Sequence, residues 1–60
     1  MDAMQIRQHA HRLIETNGAG ATAAAAQKAA RYEASGEAEQ AKNWKRIEAA
    51  LKQMRGPHQS

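Results

Sequence analysis

Residues 35–54 read SGEAEQAKNWKRIEAALKQM, and this stretch decides the fold. Ala41, Trp44, Ile47, Leu51 and Met54 recur at three- and four-residue spacing, which places them on one stripe of an α-helix. Lys42, Lys45, Arg46 and Lys52 fall mostly off that stripe. Glu37 and Glu39 open the helix, where acids suit the positive end of the backbone dipole. Glu48 and Lys52 form an i,i+4 pair in the favourable order. Lys52 and Arg55 suit the other end, and Gly56-Pro57 stops the helix. Ser35-Gly36, in front, terminates whatever precedes it, with Gly36 expected at positive φ. The chain therefore reverses at Gly36, and a helix over about 37–55 folds back on the preceding segment.

That segment is rich in alanine, with four in a row from Ala23 to Ala26. The pattern runs unbroken through Lys28, Arg31 and Tyr32, which predicts a helix over about 22–34 with Thr22 as its cap. Ala25 or Ala26, Ala29, and Tyr32 or Glu33 share a face, and small side chains there let a neighbour approach closely. Further upstream, Asp2 followed by Gln5 is a capping-box pattern. Ala3, Ile6, Ala10, Leu13 and Ile14 then form an inward stripe, with Arg7, His11 and Arg12 beside or opposite it. Asn17-Gly18 ends this helix, at about 3–16. The expected fold is all-α: a small three-helix bundle, or a helical hairpin with an N-terminal helix packed across it. Residues 1–55 form one domain and 56–60 a frayed tail.

Sixty residues limit the core. The large apolar side chains are Met1, Met4, Ile6, Leu13, Ile14, Tyr32, Trp44, Ile47, Leu51 and Met54. Without cysteine, no disulfide or thiolate metal site supplements them. No apolar run has the length of a membrane span and no basic-then-apolar leader opens the chain, so a cytoplasmic protein without membrane contact is expected. Nine Lys and Arg against six Asp and Glu give a formal charge of +3. That balance permits contact with anionic partners, although the charges are spread over all three segments.

The order Ala10, Leu13-Ile14, Gly18, Ala21, Ala25, Gly36-Glu37, Ala41, Trp44, Ile47 and Ala50-Leu51 resembles a group of short, uncharacterised bacterial helical proteins. Members carry a Leu-Ile pair, a glycine turn, an alanine-rich helix, a Gly-Asp turn and a Trp-x-x-Ile helix. Glu37 stands where that group usually has Asp. The resemblance implies a small helical fold and brings no activity or site residue with it. Ala29, Tyr32, Gly36 and Ala41 are also similar to part of a tetratricopeptide repeat. Lys28, Lys45 and Glu48 break that pattern, and a single copy cannot build a solenoid, so this likeness implies a helix-turn-helix hairpin alone.

Candidate chemistry is sparse. His9 and His11 are two apart on a helix and point about 200° from each other, so they cannot share an ion. A zinc site needs three or four converging ligands, and His58 sits on the tail. Glu37 and Glu39 serve a helix start. No catalytic triad is present, and no cysteine nucleophile. Gly18-Ala19-Gly20 lacks the strand that a dinucleotide loop follows. No catalytic, cofactor-binding or metal-binding residue is therefore assigned, and the expectation is not an enzyme. Lys42, Lys45, Arg46 and Lys52 make a basic face that a nucleic acid would contact if the last helix were a recognition helix.

The leading expectation is a non-catalytic protein-interaction module, self-associating or bound to another protein. Burial of ten large apolar residues roughly balances the entropy of ordering the chain, and a partner would add the missing burial. The rival expectation is a small nucleic-acid-binding protein.

Overall fold

The computed structural model describes residues 2–55. It is all-α, with α1 over Ala3–Asn17, α2 over Ala21–Ala34 and α3 over Ala38–Arg55. A 3-10 turn over Gly18–Gly20 links α1 to α2. The expected ends at 16, 22 and 37 each move by one residue, for reasons that lie in the caps. The tail expected over 56–60, with its Gly56-Pro57 stop, lies outside the described residues.

At the start of α1, the Asp2 side chain accepts the Gln5 N–H at 2.9 Å, and the Gln5 side chain accepts the Asp2 N–H at 3.2 Å. Two amides that the helix cannot satisfy internally are thereby paired. At its end, Gly18 takes φ 57, ψ −126 and donates its N–H to the Ile14 carbonyl. A side chain would be strained there. The 3-10 turn then runs straight into α2, which begins at Ala21 with Gly20 as its N-cap. Thr22 is consequently inside the helix rather than capping it. Its hydroxyl is buried and has no hydrogen-bond partner.

The junction of α2 and α3 is the three residues 35–37. Gly36, at φ 79, donates to the Glu33 carbonyl at 3.1 Å, and Glu37 donates to the Tyr32 carbonyl at 2.9 Å. These two bonds are the Schellman pattern, which closes a helix with a left-handed residue just past its end. The Glu37 carbonyl in turn accepts the first bond of α3, from Ala41 N–H at 3.0 Å. Glu37 is thus occupied as a cap, and α3 starts one residue later than the acidic pattern implied.

α2 and α3 form an antiparallel hairpin, and α1 packs against both. The buried residues are Ala10, Ala21, Ala25, Ala29, Ala41, Ile47 and Leu51, of which Ile47 and Leu51 are the largest. Ile6, Leu13, Trp44 and Ala50 close around them, partly buried. Trp44, which the spacing places on the α3 stripe, is partly buried at the edge of the core and packs against it. Two expectations are corrected here. Ala3 and Ile14, expected inward on α1, are exposed. Ile14 lies eight positions from Ile6, which turns it about 80° from that residue, whereas Ala10 and Leu13 stay within about 40°. Met54, expected on the α3 stripe, is 38% exposed.

Two predictions follow from the backbone. A methyl group at Gly20 or Gly36 meets no atom within 4 Å, so conformation alone decides its effect. Gly36→Ala should lose about 1 kcal/mol to the positive φ. Gly20→Ala, at φ −86, should gain about 0.4–1 kcal/mol by restricting the unfolded chain. Opposite shifts in thermal melts would check both. Thr22→Val, which deletes an unpaired buried hydroxyl at equal volume, should stabilise by about 1 kcal/mol in urea denaturation.

Candidate functional site

The four basic residues singled out on α3 do not act as one surface. The Lys45 ammonium donates to the Glu33 carboxylate of α2 at 2.7 Å, with both side chains more than half exposed. That hydrogen bond, with the attraction of the same carboxylate, raises the Lys45 pKa above its ordinary 10.5. Lys52 lies 3.5 Å from Glu48 across one turn. Lys42 and Arg46 are exposed four positions apart, with no ion pair among the described residues. Half of the face is therefore balanced by carboxylates, and Lys45 is turned toward α2.

A different set of residues meets around Trp44. The Lys28 ammonium sits 5.4 Å from the centroid of the Trp44 ring, a cation–π distance. The His9 ring stands edge-on to Trp44, with centroids 6.1 Å apart at 66°. Each helix thus contributes one side chain: His9 from α1, Lys28 from α2 and Trp44 from α3. Sequence reasoning missed the Lys28 contact, yet a signal for it exists. Lys28 and Trp44 each lie eight residues from Gly36, so antiparallel arms of equal rise bring them level.

Two surface hollows adjoin this cluster, each walled by a single helix. One is lined by Ala24, Gln27, Lys28, Ala30 and Arg31 of α2. The other is lined by Gln5, Gln8, His9, His11, Arg12 and Glu15 of α1. Glu33 is in its ion pair, Glu37 caps α3 through its backbone, and Glu39 lies in the first turn of α3. Among the described residues, no group of three or more His, Cys, Asp or Glu side chains is placed to hold a metal ion. His58 lies outside them. Among the same residues, no helix is long and apolar enough to cross a membrane.

Comparison of the chain with protein-family models, with curated proteins and with solved structures found no match. The functional reading therefore rests on the residues themselves.

The raised Lys45 pKa carries a sign. An ammonium held above its unfolded pKa stabilises the fold fully below pH 10.5, and that contribution is lost as pH climbs through the folded value. Both groups are exposed, so the effect is small and is screened by salt. Glu33→Gln should lower the melting temperature slightly near neutral pH. The gap to the parent should shrink above pH 10.5 and in high salt, as read in melts across that range.

Proposed function

We propose that the protein is a non-catalytic helical interaction module that associates with a second copy of itself. The carrying observation is the mismatch between what the fold buries and what it leaves out. Five of the seven buried residues among those described are alanines, which remove little apolar area from water. Meanwhile Met4 is 69% exposed, and Ile14 and Met54 are each 38% exposed. A flexible methionine adapts well to a partner surface. Ala23 and Ala30 also face solvent on α2, where small side chains permit a second helix to come close. The hollows support a binding role over a catalytic one, since a single helix cannot surround a substrate.

The rival reading, nucleic-acid contact through Lys42, Lys45, Arg46 and Lys52, is weakened by the two carboxylates that already neutralise Lys45 and Lys52.

Association stabilises the folded state by mass action. At a concentration a hundredfold above the dissociation constant the gain is about 2.7 kcal/mol, worth more than ten degrees in a domain this small. The melting temperature should therefore rise with protein concentration, and sedimentation over the same range should show a monomer giving way to a larger species. Met4→Lys should flatten the dependence while leaving the helical circular dichroism intact. A concentration-independent melt together with a strict monomer would refute self-association.

A further inference from the structure

The geometry points to an anion-binding surface that spans α1 and α2 across Trp44 of α3 and takes the phosphate backbone of a single-stranded nucleic acid. Its centre is a set of direct contacts, for Lys28 and His9 both meet Trp44. Lys28 shares its hollow with Arg31, and His9 shares the other hollow with Arg12. Arg12 and Arg31, each two residues from a buried alanine and so turned about 200° from it, flank that centre on the outer sides of α1 and α2.

Arg12, Lys28 and Arg31 have no ion pair among the described residues, a property they share with Lys42 and Arg46, so what distinguishes this surface from the face of α3 is the contact of Lys28 and His9 with an aromatic ring. Glu15 is the one acid lining either hollow. Lys28 is faced by an aromatic ring instead of an acid, so it keeps its positive charge available to a ligand at no cost in broken ion pairs. Two of the three cations are arginines, whose planar forks match phosphate.

A nucleic acid fits better than an acidic peptide because aromatic groups lie between the cations. His9 is exposed, and Trp44 is partly buried with the Lys28 ammonium over its ring. Bases can stack on such groups while the backbone meets the charges, and single-strand binders combine these two contacts. A run of carboxylates would leave the rings unused.

The test is a titration of a labelled 15-nucleotide deoxythymidine oligomer with the full-length protein, read by anisotropy, with Trp44 fluorescence as a second signal. Saturable binding at 50 mM salt is expected, with a quenched tryptophan. Three phosphate contacts on a single strand give a slope of about −2 in log affinity against log salt, so binding should weaken ~15-fold by 200 mM. Arg31→Gln, which leaves Trp44 and its neighbours intact, should reduce that slope by about a third, as should Lys28→Gln if its circular dichroism matches the parent. Replacing Lys42 and Arg46 together with alanine should change the affinity less than twofold. The proposal is overturned by any one of three results: no saturable binding at 50 mM salt, loss of binding in the Lys42/Arg46 variant but not in Arg31→Gln, or equal or tighter binding of a polyglutamate of matched length. That last result would make the surface a site for acidic proteins.

Discussion

The structure depends on the close approach of α2 to its neighbours. Ala21, Ala25 and Ala29 are four residues apart and present a strip of methyl groups, and Ile47 and Leu51 are buried in one cluster with Ala21, Ala25 and Ala10 of α1. Alanine adds little transfer energy itself, but it lets the larger side chains of α3 reach the α2 backbone and bury fully. The same choice favours the helix locally, because alanine loses no rotamer freedom on folding. Local propensity and tertiary packing therefore agree along α2, a consistency that matters most in a chain with so little apolar area to spare.

Trp44 carries the second theme. It lies at the margin of the core, where three helices meet. There its apolar body covers the core, and its ring meets a cation on α2 and an imidazole on α1. One side chain thus ties α1 to the hairpin and shapes the surface next to it. The packing role and the proposed binding role have a single cause, the size and the π-face of the indole.

Much of the architecture was legible in the sequence. Gly36 announced the reversal, Asp2 and Gln5 announced the first cap, and the spacing of Ala41, Ile47 and Leu51 fixed the buried side of α3. What was not legible depended on distances between segments. Ile14 and Met54 share the helical stripe with core residues but sit at its edge, and periodicity cannot state how wide a neighbour is. Thr22 has the chemistry of a cap, yet the 3-10 turn began the helix one residue too early for it to serve. On α3 the basic pattern was visible, while its neutralisation was only half so. Glu48 is a local partner of Lys52, but Glu33 belongs to another helix. Lys28 beside Trp44 was hidden for the same reason, since their adjacency appears only after the hairpin is closed about Gly36.

The shared use of Glu37 has a consequence for how such a chain tolerates change. Its N–H closes α2 and its carbonyl opens α3, so the two helices are joined without slack. One residue added or removed between Gly36 and Ala41 would rotate α3 by about 100° and carry Ile47 and Leu51 away from the alanine strip. The hairpin therefore behaves as a single cut part, fixed in length as well as in shape.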